Sequence, residues 1–165
     1  MTITDVSREQ LSIIHKLAYR IWPTTFGGIL ADAQIAYMLN WMYSILSLEK
    51  QMDEGCHFLL LNEENKAVGY ASYQLNIVEG VTKLHKIYLL PAAQGKGLGK
   101  LFIMEVIKRA KENKQSFLQL NVNRHNKAAH FYTRLGFQVV REENNDIGNG
   151  YFMNDYVMEL SLGSI

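Results

Sequence analysis

A cluster of glycines joins an extended segment directly to a helical one, and this junction constrains the fold more than any other feature of the sequence. Residues 81–90 have the apolar pattern of a strand, which Pro91 ends because proline cannot extend a hydrogen-bond ladder. The loop at residues 94–100 reads Gln-Gly-Lys-Gly-Leu-Gly-Lys and leads into a helix from about Gly97. Because glycine permits positive φ and close backbone approach, successive N–H groups can converge there on an anion. The junction predicts either a pyrophosphate cradle or a tight turn without a ligand.

Two familiar nucleotide-binding loops do not fit this spacing. A Walker A loop would require glycine where Gln94 stands and Ser or Thr where Leu101 stands, so the magnesium ligand is missing. A dinucleotide-binding fingerprint would require its third glycine at Lys100 or Phe102. ATP and NAD are therefore disfavoured as ligands.

The rest of the chain alternates helical and extended patterns without a repeat or a linker. We expect a first helix from about Ser7, with Gln10 completing a capping box, that ends at Pro23. Further helices are predicted at residues 32–48, from Gly97, and at 126–135, and strands at 57–61, 67–76, 81–90, 117–122, 137–142 and 151–160. Strand, helix and strand over residues 81–122 predict a parallel βαβ unit. The expected fold is α/β or α+β, with a mixed sheet and helices on its faces.

Composition limits the classes of partner. A chain of 165 residues is expected to form one domain, residues 1–165. Lys and Arg number 17 against 16 Asp and Glu, so no basic excess favours nucleic acid or an anionic membrane. The single cysteine, Cys56, and five histidines without paired ligand spacing predict neither a disulfide nor a metal site. No secretion signal or membrane span is evident, so we expect a cytoplasmic protein.

A second motif follows the strand at 117–122 and makes the pattern specific. It reads Asn-x-x-Ala-x-Phe-Tyr-x-x-x-Gly-Phe, at Asn126, Ala129, Phe131, Tyr132, Gly136 and Phe137. With Gln-x-x-Gly-x-Gly at Gln94, Gly97 and Gly99, the second half of the chain resembles the GNAT superfamily of N-acetyltransferases. The resemblance implies a mostly antiparallel sheet of about six to seven strands with a central parallel βαβ unit and helices on both faces. It also implies acetyl-CoA as cosubstrate.

The resemblance implies where the cosubstrate binds. The backbone of the glycine loop would hold the CoA pyrophosphate, through Gln94, Gly95, Lys96, Gly97, Leu98, Gly99 and Lys100. Backbone groups near Ile87 and Leu89 would pair with the pantetheine arm and the acetyl group. Asn121 and Asn126 are the remaining residues expected to bind the cofactor, with Asn126 on the CoA arm.

Two residues are expected to move protons. Tyr132 would lie near the CoA sulfur as general acid, because tyrosine, with a pKa of about 10, stays protonated where a thiol of about 8.5 leaves. Packing in the core is the alternative role for Tyr132. Related enzymes often carry a glutamate base on the strand before the loop, and His85 stands in that region here. A histidine can accept a proton near neutral pH, although a strand histidine is also commonly structural.

The resemblance also implies that the acceptor is a primary amine, and several kinds of amine stay open. The layout is similar to bacterial spermidine/spermine-type acetyltransferases, and a polycation requires a carboxylate-lined groove. The first half offers Asp32, Glu49, Asp53 and Glu54 for that purpose, so a polyamine, another small amine and a peptide N-terminus remain alternatives. Cys56 lacks a Cys-His-Asn pattern, which favours direct transfer. A homodimer is one option, and a CoA-binding sensor or interaction module without catalysis is the alternative function.

Overall fold

The computed structural model describes residues 1–163, which form five α-helices and seven strands. The helices are α1 (Leu11–Phe26), α2 (Asp32–Tyr43), α3 (Ile45–Asp53), α4 (Leu98–Glu112) and α5 (Ala128–Arg134). The strands are β1 (Thr2–Asp5), β2 (His57–Glu63), β3 (Lys66–Val78), β4 (Val81–Leu89), β5 (Phe117–Asn123), β6 (Gln138–Gly148) and β7 (Tyr151–Ser161). Short 3-10 helices at Arg8–Gln10 and Pro91–Ala93 precede α1 and the glycine loop.

The strands form one sheet in the order β1-β2-β3-β4-β5-β7-β6. β4 and β5 are parallel, with Leu84 opposite Leu120, and α4 connects them. The pairs β1–β2, β2–β3, β5–β7 and β6–β7 are antiparallel. The mixed, mostly antiparallel sheet with a parallel βαβ unit is therefore confirmed.

The described chain divides into two compact units. The first comprises Met1–Gln74 and His85–Val106, and the second comprises Leu75–Leu84 and the residues from Ile107 onward. In the first unit the inner stripe of α1, including Ile14 and Ile21, is fully buried. In the second, Leu118 on β5 and Val157 on β7 are fully buried. One domain over residues 1–165 stays a prediction, and its last two residues lie outside the described range.

The predicted hairpin of β2 and β3 is confirmed. Glu63 pairs with Lys66, and the two residues between them, Glu64 and Asn65, have φ of 48° and 62°. Two successive positive-φ residues are typical of the type I′ turn that fits the twist of a two-residue hairpin. β1 was not predicted, because its four residues are mostly exposed and carry no alternating apolar pattern.

Two helix boundaries differ from the sequence prediction. Pro23 lies inside α1 instead of ending it. Proline removes one amide donor, and the buried Trp22 and Phe26 continue the packed stripe across it. The helix predicted at 32–48 is broken at Ser44, whose ψ is 151° and whose hydroxyl accepts a hydrogen bond from the Ser47 N–H at 3.2 Å. Serine is a favoured N-cap, so Ser44 starts α3 as a separate helix.

Candidate active site

The glycine loop has the backbone conformation that the sequence predicts. Gly95 and Gly97 have φ of +78° and +77°, and a Cβ added to either would meet no atom within 4 Å. Glycine is therefore favoured at these two positions because of the positive φ, since there is enough space for a side chain. The Leu101 N–H donates to the Gly97 carbonyl at 3.2 Å, so the three amides before it in the first turn of α4 have no intrahelical acceptor. This backbone can present several N–H groups to an anion.

The charges around the loop suit a pyrophosphate. Residues 94–100 contain two lysines and no acid. Lys96 pairs with Glu63 at 3.8 Å, and its side chain remains 55% exposed. The positive end of α4 adds to the lysine charge. The residues present therefore fit the diphosphate of CoA.

The end of β4 runs into this loop. The Gln94 side chain donates from Nε2 to the Leu89 carbonyl at 3.2 Å, and the Leu90 N–H donates to the Val68 carbonyl at 2.8 Å. Ile87 and Leu89 are both half-buried. These bonds hold the loop against the strand that precedes it.

His85 is exposed on β4, and its contacts indicate its tautomer. Its Nε2 lies 3.0 Å from Gln74 Oε1, while Gln74 Nε2 donates to the Glu54 carbonyl at 3.1 Å. Since the Gln74 oxygen accepts, His85 Nε2 carries the hydrogen. In the neutral ring, Nδ1 is then the nitrogen that can accept a proton.

Lys86, the neighbour of His85, points to the opposite face of β4 and is only 9% exposed. Its Nζ donates to Gln51 Oε1 at 2.6 Å. The same atom lies 5.4 Å from the centre of the Tyr43 ring and 5.9 Å from that of Phe58. Burial lowers the pKa of Lys86 to about 8. A charged group thus lies inside the first unit, held by one amide oxygen and two aromatic faces.

A hydrogen-bonded aromatic cluster lies on the same side of β4 as Lys86. Trp22 Nε1 donates to the Tyr70 hydroxyl at 3.2 Å, and the Tyr70 hydroxyl donates to that of Tyr43 at 2.8 Å. The Tyr88 ring lies 5.6 Å from both Trp22 and Tyr70. Burial raises the pKa values of Tyr43 and Tyr70 well above 10, so both stay neutral. Sequence patterns did not reveal this cluster, because its members come from four separate elements.

In the second unit, Tyr132 lies on α5 and is 7% exposed. Its ring contacts Phe131 and Phe137, with centroid distances of 5.4 and 5.6 Å. Burial raises the pKa of Tyr132 above its ordinary value, so the hydroxyl keeps its proton. Both predicted properties of this residue, a packed ring and a protonated hydroxyl, are compatible in one side chain.

The two predicted asparagines have different surroundings. Asn126 Oδ1 accepts from the Ala128 N–H at 2.9 Å, an Asx turn that starts α5. Asn121 Oδ1 accepts from Lys83 Nζ, and its Nδ2 donates to Glu143 Oε1 at 3.1 Å and to Asp155 Oδ2 at 3.2 Å. Both ends of the Asn121 side chain are therefore engaged within the sheet. Antiparallel pairing of β6 and β7 creates this network, which a linear motif does not reveal.

Residues 1–163 contain no group of three or more His, Cys, Asp or Glu side chains placed to hold a metal ion. None of their helices has the length and apolar character needed to cross a membrane.

The family can now be assigned. The family model of the acetyltransferase (GNAT) domain matches residues 30–160, which is most of the chain. The chain belongs to the GNAT family of N-acetyltransferases.

Relatives and solved structures agree with this assignment. A ribosomal protein bS18-alanine N-acetyltransferase of Haemophilus influenzae is 32% identical over 119 residues, 72% of this chain and 75% of the relative. A spermidine N(1)-acetyltransferase of Thermoplasma acidophilum is 26% identical over 153 residues, 87% of this chain and 92% of the relative. The crystal structure of the PaiA N-acetyltransferase of that organism with coenzyme A superposes with a TM-score of 0.79 at 25% identity, over 98% of this chain and 99% of that one. The predicted family, fold class, N-acetyltransferase activity and acetyl-CoA cosubstrate are confirmed.

Proposed function

We propose that this enzyme transfers the acetyl group of acetyl-CoA directly to a primary amine, with residues 94–100 as its pyrophosphate cradle. The observation that carries the proposal is the pair of positive-φ glycines, Gly95 and Gly97, immediately before the N-terminus of α4. In this conformation the amides of the loop and of the first helical turn can bind one diphosphate together. Lys96 and Lys100 add charge without requiring a metal ion.

Other residues would orient the rest of the cosubstrate. Backbone groups at Ile87 and Leu89 would pair with the pantetheine arm, extending the sheet in the manner of an added strand. Asn126 uses its side-chain oxygen to start α5, so its Nδ2 is the group that would donate to the CoA arm. Asn121 has both side-chain ends engaged, so any contact it makes with the cosubstrate would come from its backbone.

Acetyl-CoA supplies an acetyl group activated as a thioester. Tyr132 would donate its hydroxyl proton to the sulfur as the C–S bond breaks. The raised pKa keeps the hydroxyl protonated at neutral pH but makes it a weaker acid than the leaving thiol, so its main contribution would be a hydrogen bond to the developing thiolate. His85 Nδ1 would accept the proton that the amine releases as the N–C bond forms. These roles are assigned from the family motif and the chemistry of each side chain.

Transfer through an acylated cysteine is disfavoured. Cys56 is 9% exposed, and burial raises the pKa of its thiol. Since the thiolate is the nucleophile, a raised pKa reduces its reactivity. Direct attack of the amine is the simpler route.

The names of the relatives suggest two acceptor classes, the polyamine spermidine and an alanine of a ribosomal protein. We infer that the acceptor is one of these or another small primary amine. A cytoplasmic location completes the proposal, because a single free cysteine, Cys56, suits a reducing compartment. Light scattering would test the homodimer that the sequence left as an option.

A thiol-release assay with acetyl-CoA tests this function. The panel contains polyamines, amino acids, aminoglycosides and peptides that begin with alanine. Calorimetric titration with acetyl-CoA is run on the same preparation. Turnover with a member of the panel supports the proposal, and binding without turnover of any amine would favour a CoA sensor. Absence of binding would contradict both.

A further inference from the structure

One face of the sheet in the second unit carries polar side chains on four neighbouring strands. We call it the polar face, and define it as Lys83 (β4), Gln119 and Asn121 (β5), Asp155 and Glu159 (β7), and Arg141 and Glu143 (β6). The pairing places these residues on one side, since Lys83 lies opposite Gln119, Gln119 opposite Glu159, and Glu143 opposite Asp155. An antiparallel sheet often leaves one face polar and solvated, but here Gln119 and Asp155 are only 9% and 6% exposed, so their polar groups require partners.

Asn121 organises the centre of the polar face. It accepts from Lys83 and donates to one oxygen each of Glu143 and Asp155. Asp155 is 6% exposed, and the Asn145 side chain lies beside its carboxylate and that of Glu143. The second oxygen of Asp155, Oδ1, is nevertheless buried and has no donor at hydrogen-bonding geometry among the described residues. A buried carboxylate oxygen without a donor is costly. The arrangement therefore lacks one hydrogen-bond donor.

The charges show which kind of donor would fit. The polar face holds three carboxylates, Asp155, Glu143 and Glu159, and two cations, Lys83 and Arg141, so one negative charge is in excess. Arg141 Nε bonds Glu143 Oε2 at 3.1 Å. Burial raises the pKa of Asp155 and lowers that of Lys83, because both charged groups lose hydration within the sheet.

Access is provided by Glu143, whose side chain is 31% exposed. A ligand that reaches Glu143 from solvent would have Asp155 as the next carboxylate inward, because both accept from the same Asn121 amide. The ligand must be compact, cationic and rich in donors. An ammonium group has these properties, with three N–H donors around one charge.

We infer that the polar face binds the primary ammonium group of the acceptor amine, between Glu143 and Asp155. This inference rests on the proposed function, because it assigns the acceptor side of the same reaction. The acidic residues of the first half include no buried carboxylate, since Asp32, Asp53 and Glu54 are exposed and Glu49 is half-buried. Three of them also have partners near the surface: Arg8 pairs with Glu49 and Asp53, and Lys50 pairs with Glu54.

Two isosteric variants, Asp155→Asn and Glu143→Gln, test the inference, with spermidine and n-butylamine as probes. The control is Glu142→Gln, which removes the adjacent carboxylate that pairs with Arg124 at 3.1 Å. We expect the KM for either amine to rise about tenfold or more in both test variants. The kcat at saturation and the acetyl-CoA affinity should stay unchanged, as should all constants of the control. Unchanged amine KM in both test variants would overturn the inference.

A direct binding measurement separates this inference from the proposed function. Each amine is titrated into the wild type and variants by NMR, without acetyl-CoA. Weakened binding in the test variants supports the ammonium site even if acetyl-CoA binding or turnover fails. If neither amine binds the wild type at millimolar concentration, the inference is wrong even where acetyl-CoA binds. If Asp155→Asn does not fold, the test rests on Glu143→Gln, since Glu143 is half-exposed. The same quantities, amine KM and amine binding by NMR, are then measured on that variant alone.

Discussion

Replacing Lys86 by methionine should favour the folded state more at neutral pH than at alkaline pH, in each case relative to the wild type. Methionine keeps an unbranched chain of similar length and removes the buried charge. It also leaves Gln51 Oε1 without its 2.6 Å donor, which costs about 1–3 kcal/mol at every pH. We therefore compare the unfolding free energy of Lys86→Met with that of the wild type at each pH. The informative quantity is how this difference changes with pH.

The magnitude follows from the pKa of Lys86, lowered from 10.5 to about 8 by burial. At about 1.4 kcal/mol per pH unit, the buried charge costs the folded protein about 3 kcal/mol when fully protonated. Between pH 8 and 10.5 the folded protein binds fewer protons at this site than the unfolded chain, so wild-type stability rises with pH there. Below pH 8 the buried charge of Lys86 destabilises the folded protein by the full amount, and above pH 10.5 it no longer does so. The variant lacks this titration, so its advantage over the wild type should shrink by about 3 kcal/mol across the window.

Urea unfolding at pH 7, 8, 9 and 10, monitored by tryptophan fluorescence, measures the effect. The matched control is Lys50→Met, which removes an α3 lysine whose side chain is 77% exposed and should run parallel to the wild type. Parallel curves for Lys86→Met and the wild type would refute the reasoning. They would mean that Lys86 is solvated, or that the two ring faces fully replace its hydration.

Three further predictions concern the active site. Gly97→Ala forces a side chain into positive φ and should weaken acetyl-CoA binding about tenfold by calorimetry, whereas Gly28→Ala, at a position without positive φ or crowding, should not. Tyr132→Phe should lower kcat about 100-fold and leave acetyl-CoA affinity unchanged, and an unaltered kcat would remove it as the acid. His85→Gln should lower kcat about tenfold or more with little change in acetyl-CoA affinity. The exposed His130→Gln is its control, and equal kcat values for both would exclude His85 as the base.

The parts of the fold that sequence predicted well are those with local signals. The β2–β3 hairpin is marked by its polar turn, and α4 and β5 by the glycine loop and alternating apolar runs. The helix end predicted at Pro23 is absent because tertiary packing continues α1, and the break at Ser44 was missed although a local hydrogen bond makes it. Trp22 and Phe26 continue α1 through a proline, and the Ser44 hydroxyl caps a helix that composition alone merges with α2.

In the candidate site, too, features set by the local sequence could be predicted and features set by distant contacts could not. The positive φ of Gly95 and Gly97 in the loop at 94–100 could be predicted, because this backbone conformation is encoded locally by glycine. The environments of Lys86 and Asp155 could not, since each depends on strands and helices distant in sequence. A lysine and an aspartate on strands resemble ordinary surface residues until the partners Gln51 and Asn121 are in place.

The Asx turn at Asn126 has a consequence for genetics. One side chain starts the helix that carries Tyr132 through its oxygen, and its nitrogen is the proposed donor to CoA. Alanine at this position would impair helix initiation and cofactor recognition together, so its phenotype would not distinguish them. Aspartate would keep the turn and lose the donor. Comparing Asn126→Asp with Asn126→Ala would therefore separate the observed Asx turn from the proposed contact with CoA.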